Sequence, residues 1–268
     1  MITNAGNLQV LKLMAGTATQ FANTIAVGSG STALPLTATS LGFSWGLTTV
    51  VDTFVDTVLG QVIFHGVLAP ESSGVINEIG LIATGSNSST QSSTLANILY
   101  TFSSNETWLT SAPYTLGAGG NIGMQDYVFT NATDGTSLLT YLSILSTFTF
   151  STLKFACTAV GITSVEIRLE IDPSNYLSTV VSTTAAGLQI YNTTIANYTT
   201  TGVVNVQNIQ ALRLIIHPAG TSSTLTLDGL SLEMTAGSAL IAHSVLATPI
   251  VKAPGAPLEI ERAVKFSA

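Results

Sequence analysis

The pattern of apolar and polar residues changes its period once along this chain. Near the N-terminus, Leu8, Leu11 and Met14 recur at helical spacing behind a capping residue, Thr3 or Asn4. Beyond this segment the apolar residues are mostly β-branched, and they alternate or cluster over strand lengths between Gly, Asn, Asp, Ser and Pro. The pattern therefore predicts one N-terminal helix followed by a chain of strands.

The first part of the chain contains three strand signals before residue 70. Residues 24–28 form a short apolar run, and residues 33–46 are typical of a loop. Two apolar and β-branched runs follow at 48–59 and 61–68, and Gly60 separates them. A strand, a loop and two further strands are predicted in this order.

Two distant segments together have the pattern of a single β-hairpin. Residues 74–84 and 239–251 are both apolar at strand length, and small turn-forming residues flank each of them. If the chain between them is removed, the junction is an ordinary tight turn. We therefore predict that 88–237 is a domain inserted at a hairpin tip, and that 1–87 plus 238–268 form a discontinuous domain.

The inserted segment shows many short strand signals, punctuated by Gly, Asn, Asp and Pro. They lie at Ile98–Phe102, Asp126–Thr130, Leu138–Leu145, Phe148–Cys157, Ser164–Ile171, Gly187–Tyr191, Gly202–Val206, Ala211–His217 and Ser223–Glu233. This spacing is typical of a two-sheet sandwich. The predicted fold class is mainly β: a small α+β domain, with one helix and an antiparallel sheet, that carries an inserted jelly-roll-like β-sandwich.

Charged residues are scarce in this protein. They make up only 8% of the 268 residues, whereas hydrophobic residues make up 46%. A weakly charged surface tends to associate, which suits a subunit of an assembly. A hydroxyl-rich extracellular or viral sandwich would have the same composition, and the two explanations are compatible.

The charge distribution argues against two classes of partner. The net charge is −7, the seven basic residues are scattered, and no basic stripe is present to neutralise phosphates, so nucleic acid is not expected. The most apolar window, 142–162, contains Lys154 and alternating Thr and Phe, which favours two strands over a membrane helix. No signal peptide is recognised at the N-terminus. The lone Cys157 lies in an apolar run, and a buried inert thiol is predicted.

Four short motifs, taken in their order along the chain, resemble one protein family. They are Met1-Ile-Thr-Asn-Ala-Gly6, Ile25-Ala-Val-Gly-Ser-Gly30, Asn77-Glu-Ile-Gly-Leu81 and the segment from Ala242 to Lys252. The resemblance is to the N-terminal attachment domain of tailed-bacteriophage tail-fibre, tail-collar and baseplate proteins, and it covers about 115 residues in two pieces. The chain departs from the family between residues 33 and 50, where members often carry charged residues and this chain has Leu41-Gly-Phe-Ser-Trp-Gly-Leu47 instead.

The resemblance implies a virion protein that anchors to an assembly and performs no catalysis. Its partners would be other virion proteins, and homo-oligomerisation, as a trimer by analogy, is implied. The place of synthesis would be the host cytoplasm, and the final location would be the virion. In that family the strand that carries Glu-Ile-Gly-Leu pairs with a strand that follows it.

The segment Leu225–Glu233 is similar to the last strand of jelly-roll carbohydrate-binding modules, where an Asp near the middle is common. This resemblance implies host-surface glycans as ligands. Sugar binding needs aromatic faces near polar acceptors, and the candidates are Trp108, Tyr114, Tyr127, Tyr176, Tyr191 and Tyr198. Core or rim packing is the alternative for each of them. Asp228 is either an oxygen ligand for a structural Ca²⁺ or a surface Asp before a Gly turn. No other cofactor is expected.

The strand 165–172 places its charged residues on one face. Glu166 and Glu170 would lie about 13 Å apart along a strand, whereas glycosidase carboxylates need roughly 5 to 9.5 Å. A charged strand face with cross-strand pairing is therefore favoured over an acid–base pair, and no catalytic residue is assigned. The three histidines, His65, His217 and His243, lack metal-ligand spacing and are expected to be structural. Whether His65 and His243 approach each other stays open at this point.

Three functional hypotheses follow from these observations. The first is a non-enzymatic tail-fibre or baseplate-type appendage that displays a glycan-binding sandwich in many copies. The second is a capsid decoration protein, or a head or neck fibre, that stabilises the particle. The third is a glycan depolymerase.

Overall fold

The computed structural model describes residues 1–84, 97–102, 106–118, 125–142, 151–233 and 238–265. The chain is mainly β, and all strand pairs in this part of it are antiparallel. The helix α1 spans Asn4–Met14. The strands are β1 Thr24–Gly28, β2 Ser44–Asp56, β3 Gln61–Leu68, β4 Gly74–Thr84, β5 Asn97–Tyr100, β6 Leu109–Thr110, β7 Thr115–Ala118, β8 Gln125–Thr130, β9 Thr136–Tyr141, β10 Thr152–Val160, β11 Ile162–Asp172, β12 Asn175–Ser182, β13 Leu188–Thr194, β14 Thr199–Thr201, β15 Ala211–Pro218, β16 Thr224–Glu233, β17 Ser238–Lys252 and β18 Leu258–Lys265.

The chain forms two compact units. Unit 1 consists of Met1–Ala96 together with Thr235–Ala268, and unit 2 consists of Asn97–Met234. Both crossings between the units fall in segments outside the described residues, so the boundaries inferred from the sequence, 87/88 and 237/238, remain predictions.

The predicted pairing of the two distant hairpin halves is observed. Within unit 1, β4 and β17 are antiparallel neighbours, with Leu240 opposite Ile82 and Val251 opposite Val75. The whole sheet has the order β17-β4-β1-β2-β3-β18. Strands β3 and β17 are therefore separated by three strands, so His65 and His243 do not meet.

The N-terminal helix begins as predicted. The side chain of Thr3 accepts a hydrogen bond from the backbone N–H of Gly6 at 3.1 Å, and the Thr3 hydroxyl donates to the carbonyl of Leu240. The helix ends before Gly16, which has a φ of +69° that favours glycine. These bonds attach α1 to β17.

A buried carboxylate organises the loop between β1 and β2. Glu78 in β4 is completely buried, and its Oε1 accepts from the N–H groups of Gly30 and Phe43 at 3.0 and 2.8 Å. Its Oε2 accepts from the N–H of Gly42 at 3.0 Å. A Cβ on Gly30 would overlap this carboxylate, which explains a glycine at that position. The loop packs on a core that includes Ala26, Leu41, Ile82 and Leu240.

Unit 2 is a β-sandwich of two antiparallel sheets. One sheet has the order β13-β10-β16-β8-β7, with β5 also paired to β16, and the other has the order β14-β12-β11-β15-β9-β6. Fully buried apolar residues come from both sheets: Leu153, Phe155, Leu225, Leu227 and Leu230 from the first, and Val165, Ile167, Leu169, Leu212, Leu214 and Ile216 from the second. This arrangement confirms the predicted mainly β fold class.

The strand predictions in unit 2 differ in their outcome. Those at 164–171, 211–217 and 223–233 match β11, β15 and β16 closely. The prediction at 202–206 is wrong, because β14 ends at Thr201 and a 3-10 turn follows at Val206–Asn208. Strand β12 was missed. Parts of the predictions at 138–145 and 148–157 lie outside the described residues, as does most of the region 142–151.

No helix in the described ranges has the length and apolar character needed to cross a lipid bilayer.

Candidate functional site

The strand β11 has one apolar side and one charged side. Val165, Ile167 and Leu169 are completely buried, because alternate side chains of a strand point to opposite sides and this set points into the core. Glu166, Arg168 and Glu170 therefore point outward. The charged strand face that the sequence predicts is thus present in the structure.

Arg168 is held in place from two sides. Its Nε and Nη2 donate to the two carboxylate oxygens of Glu166 at 2.7 and 3.2 Å. Its guanidinium also lies 4.5 Å from the ring centroid of Tyr176 on the neighbouring strand β12, which is a cation–π distance. The hydrogen bonds to Glu166 raise the pKa of Arg168, more than burial lowers it. The side chain remains 26% exposed.

Arg213 forms the cross-strand pair. Its Nε and Nη2 donate to Glu170 Oε1 and Oε2 at 2.7 and 3.2 Å, which joins β15 to β11. The Glu170 side chain is only 4% exposed, whereas that of Arg213 is 25% exposed. The guanidinium therefore covers the carboxylate and shows its own outer edge to solvent. This pair confirms the predicted cross-strand pairing, with a partner that the sequence did not identify.

A histidine continues the same face toward one end of the sandwich. His217 at the end of β15 lies with Nδ1 2.7 Å from Asp134 Oδ1 and with Nε2 3.7 Å from Glu166 Oε2. Asp134 also lines an open cleft of about 760 Å³ formed by residues 131–134 and 218–222. The polar groups on β11 and β15 are therefore continuous with this cleft.

Two tyrosines lie at the other end of the face. In the register of the sheet, Tyr141 on β9 is opposite Ala211, and Glu170 on β11 is opposite both Ala211 and Tyr176. Tyr141 is 68% exposed and Tyr176 is half-buried. With about 4.8 Å between strands, the two tyrosine backbones are about 14 Å apart. Between them, Ala211 and Glu170 are only 6% and 3% exposed, so the surface there is filled by neighbouring side chains such as Arg213.

We call this surface the polar face. It comprises Tyr141, Glu166, Arg168, Glu170, Tyr176, Arg213 and His217. Each guanidinium uses two of its five N–H donors on a glutamate, so donors remain available for a ligand. The bidentate pairs fix the side chains before a ligand arrives, which lowers the entropy lost on binding. Aromatic rings beside fixed donors and acceptors provide the chemistry that binds the hydroxyl groups and C–H faces of a sugar.

Three of the aromatic candidates from the sequence lie together, in a different part of unit 2. Trp108, Tyr114 and Tyr127 form an aromatic cluster with Tyr100 and Phe102, and the rings of Tyr114 and Tyr127 stack at 4.1 Å. Trp108 and Tyr127 are 7% and 1% exposed, so they offer no open ring face, whereas Tyr114 is 36% exposed. The Trp108 Nε1–H donates to Glu106 at 3.0 Å. Packing accounts for Trp108 and Tyr127.

The remaining candidates lie apart from this cluster. Tyr176 is the one that belongs to the polar face. Tyr191 stacks on Phe155 at 4.9 Å, and Tyr198 is buried with its hydroxyl 2.7 Å from that of Thr193. Asp228 is only 2% exposed, so the prediction that it is a surface aspartate before a Gly turn is wrong. Burial, with a smaller contribution from Asp228, raises the pKa of the nearby Cys157 thiol to about 12.

The described ranges contain no group of three or more His, Cys, Asp or Glu side chains placed to hold a metal ion. Of the three histidines, His217 belongs to the polar face. His243 is buried beside Glu78, with 3.6 Å between Nε2 and Oε2, and His65 lies on β3. Within the described part of unit 2, Asp228 belongs to no such group.

The sequence identified the charged residues of β11 and Tyr176 as candidates, but it missed the rest of the polar face. Arg213, His217 and Tyr141 lie on strands that are far from β11 in sequence and adjacent to it in space. A usable signal was present, since the strand 211–217 carries Arg213 and His217 at the same parity. The order of strands in the sheet was needed to bring them beside Glu166 and Glu170.

No known protein family and no curated protein matches the sequence. Several solved structures are weakly similar. A family 11 carbohydrate-binding module of a cellulosomal cellulase from Clostridium thermocellum aligns with 52% of this chain and 88% of its own, at 8% identity and a TM-score of 0.37. The xylan-binding module CBM15 aligns with 52% of this chain and 97% of its own, at 11% identity and a TM-score of 0.32.

A family two carbohydrate esterase from Cellvibrio japonicus aligns with 57% of this chain and 37% of its own, at 14% identity and a TM-score of 0.34. Similarities this weak assign neither a family nor a ligand to the chain.

Proposed function

We propose that unit 2 binds glycans on the polar face, without cleaving them. The observation that carries this proposal is the pair of bidentate arginine–glutamate contacts, Arg168–Glu166 and Arg213–Glu170, held half-buried between Tyr176 and Tyr141. The two guanidinium groups are fixed in position and about one quarter exposed, whereas the Glu170 carboxylate beneath Arg213 is covered. A sugar can hydrogen-bond to the guanidinium groups while its C–H face packs on the exposed ring of Tyr141.

The charges of the face favour neutral glycans over acidic ones. The carboxylates of Asp134, Glu166 and Glu170 outnumber the guanidinium groups of Arg168 and Arg213, and both guanidinium groups are already paired. A sulfated or uronic-acid polymer would meet repulsion from the carboxylates without a free cation to offset it. We therefore expect neutral polysaccharides to bind best.

The test is a glycan array and calorimetry on the full chain, with neutral and acidic polysaccharides. Tyr141→Ala should weaken binding at least about tenfold, because it removes an aromatic contact worth about 1.5 kcal/mol or more. Val203→Ala, a change at an 85% exposed residue between β14 and β15, should leave binding unchanged. Tyr114→Ala tests the aromatic cluster as the binding site. If it abolishes binding while Tyr141→Ala does not, the polar face is the wrong site.

We further propose that unit 1 attaches the protein to a bacteriophage particle, so that many copies display unit 2. The resemblance of its four motifs to phage attachment domains supports this role. The low charge of the chain and the exposed apolar residues of unit 1 support it physically, because such a surface is stable when an assembly covers it. Copy number would then multiply weak glycan contacts.

Antibodies raised against the chain should label phage particles in electron micrographs. Label at the tail tip or baseplate would support an appendage, and label spread over the capsid lattice would support decoration of the shell instead. Particles that carry no label would contradict the virion assignment.

A polysaccharide depolymerase is the enzymatic alternative. Both oxygens of Glu166 and of Glu170 are bonded to guanidinium groups, so neither residue is free to act as a nucleophile or base without breaking its ion pair. We expect no release of reducing sugars from any polysaccharide that the chain binds. Release that Glu170→Gln abolishes would overturn the non-enzymatic assignment.

A further inference from the structure

The outer side of β9 and β6 is apolar where it borders the polar face. Alternate residues of a strand point to one side, so Tyr141 and Leu139 share the outer side of β9, whereas Leu138 is completely buried. Leu109 on β6 is directly opposite Leu139 in the antiparallel register and therefore points the same way. Tyr141 and Leu109 are 68% and 55% exposed, and Leu139 is half-buried. We call Tyr141, Leu139 and Leu109 the apolar edge.

A fixed hydrogen-bond donor borders the apolar edge. Arg213 on β15 is opposite Leu139 in the register of the sheet, so both side chains rise from neighbouring positions on the same side. The guanidinium group has five N–H donors, and it uses one on Nε and one on Nη2 to bind Glu170. Its side chain is 25% exposed, so the other donors can reach a ligand. Apolar groups and a charged donor held in one position therefore lie side by side.

The apolar edge is too small for a protein partner. Three side chains, one of them half-buried, provide much less than the about 800 Å² that each partner contributes to a stable protein–protein interface. Neither β9 nor β6 contains a charged residue, so these strands offer no counter-charge to an ionised group. The occupant that matches this surface is a neutral group with a short apolar part and an acceptor oxygen. An acetyl group has both, because its methyl can pack on leucine and its carbonyl can accept from a guanidinium group.

The two leucines also discriminate against an unsubstituted sugar ring at this position. A sugar ring that packs its C–H face on Tyr141 directs its ring substituents sideways, and some of them meet Leu139 and Leu109. A hydroxyl group placed there would lose water without gaining a hydrogen bond from either leucine, which is unfavourable. A methyl group at the same place would be buried favourably. The leucines therefore favour a sugar whose substituent at this position ends in a methyl group.

We propose that the polar face selects acetylated glycans. The acetyl methyl packs on Leu139 and Leu109, the acetyl carbonyl accepts a hydrogen bond from Arg213, and the sugar ring that carries the acetyl group packs on Tyr141. This inference rests on the proposed glycan binding and specifies its substrate class. Acetamido and O-acetyl groups share this chemistry, and both are neutral, in keeping with the charges of the polar face.

The test is calorimetry on the full chain with two matched pairs of glycans. Chitohexaose and cellohexaose are neutral chains of the same linkage that differ in an acetamido group or a hydroxyl group at the second carbon of each sugar. Acetylated xylan and the same xylan after alkaline deacetylation differ in their ester groups. We expect the acetylated member of at least one pair to bind at least about fivefold more tightly, because a methyl group is buried and a carbonyl gains a charged donor. The pair that shows the preference identifies the linkage of the acetyl group.

Variants of the two leucines locate the acetyl group. Leu109→Ser and Leu139→Ser should each reduce the ratio of the two affinities within a pair at least about threefold, because serine offers no apolar surface to the methyl group. Leu109 is 55% exposed, so its replacement should leave the fold intact even if that of the half-buried Leu139 does not. The matched control is Leu116→Ser, a change at a 44% exposed leucine on β7 in the other sheet, and it should keep the ratio of the parent chain.

Failure of this inference differs from failure of the proposed function. If both members of each pair bind equally and Tyr141→Ala weakens both, the polar face remains the glycan site but does not select acetyl groups. The same conclusion follows if the glycans that bind on the array carry no acetyl group. An acetyl preference that Leu116→Ser removes, while Leu109→Ser keeps it, would place the acetyl group in the other sheet. If no glycan binds, or if Tyr141→Ala has no effect on binding, the proposed function is wrong and this inference is wrong with it.

Discussion

Glu78 receives three backbone N–H groups from a loop that lies 35 to 48 residues earlier in the chain. A carboxylate that is fully buried is costly unless its oxygens are bonded, and here all three bonds come from one loop. The residue therefore couples the loop between β1 and β2 to the centre of the sheet. The sequence showed Glu78 within a family-like motif, but the identity of its donors depends on the folded chain.

Replacing Glu78 with Gln should destabilise unit 1. The amide group loses the negative charge and puts an N–H₂ group where the carboxylate accepted, so at least one buried N–H loses its partner. The expected cost is about 2–3 kcal/mol in the free energy of unfolding. Urea unfolding monitored by circular dichroism measures it. Glu71→Gln, at an exposed position in the turn before β4, is the matched control and should change stability by less than about 0.5 kcal/mol.

Cys157 should behave as an inert thiol in the folded protein. Its side chain is 1% exposed, and burial raises its pKa to about 12. The reactive thiolate is thus almost absent at neutral pH. A thiol reagent such as DTNB should label the chain only after denaturant is added, with a midpoint that follows unfolding of unit 2. Rapid labelling in native buffer would contradict this burial.

At the scale of elements, the pairing of β11 with β15 depends on a charge pair as well as on the apolar core. Arg213 covers Glu170, whose side chain is 4% exposed, and the two bonds are 2.7 and 3.2 Å long. Arg213→Met should leave that carboxylate largely buried and unpaired, at a cost of about 1–3 kcal/mol, the lower part of the range for buried pairs because the arginine is partly exposed. Chemical denaturation of unit 2 measures the loss.

The double variant Arg213→Met with Glu170→Leu is the control for this prediction. It removes the pair without leaving a buried charge, so most of the lost stability should return. If the single and double variants are equally unstable, the cost comes from packing of the arginine stem and not from the abandoned carboxylate.

The elements that the sequence predicted well are those whose signal is local. The cap at Thr3, the break at Gly60 and the strands β11, β15 and β16 are all marked by adjacent residues. Strand β12 was missed because its hydroxyl residues obscure the alternation, and β14 was displaced because three threonines give no apolar pattern. The polar face could not be assembled from sequence, because it depends on which strands become neighbours.

At the scale of the whole molecule, the two units respond to alkaline pH in different ways. Burial raises the pKa of Cys157 and of Tyr198 to about 12, and burial also raises the pKa of Tyr127. All three residues lie in unit 2. In unit 1, burial lowers the pKa of the Met1 ammonium group, so that group gives no loss of stability as the pH rises.

Unit 2 should therefore lose stability in alkali before unit 1 does. A group whose pKa is higher in the folded than in the unfolded state makes its full contribution to the stability of unit 2 at pH values below its unfolded pKa. That unfolded pKa is about 8.5 for Cys and about 10 for Tyr. That contribution is then lost as the pH rises toward about 12. In thermal scans between pH 8 and 11, the unfolding transition of unit 2 should move to lower temperature as the pH rises. The variant Arg213→Met identifies this transition, because it destabilises unit 2. The unfolding transition of unit 1, which the variant Glu78→Gln identifies, should move less. A parallel shift of both would contradict this assignment.

The pairing of β4 with β17 fixes the order in which this protein can mature on the ribosome. All of unit 2 emerges between these two strands, so its sandwich can be complete while β3 and β4 still lack their outer neighbours β18 and β17. A nascent chain therefore carries two bare sheet edges until β17 and β18 have been synthesised. Translation products truncated before β17 should consequently be insoluble or rapidly degraded, although their sandwich is intact.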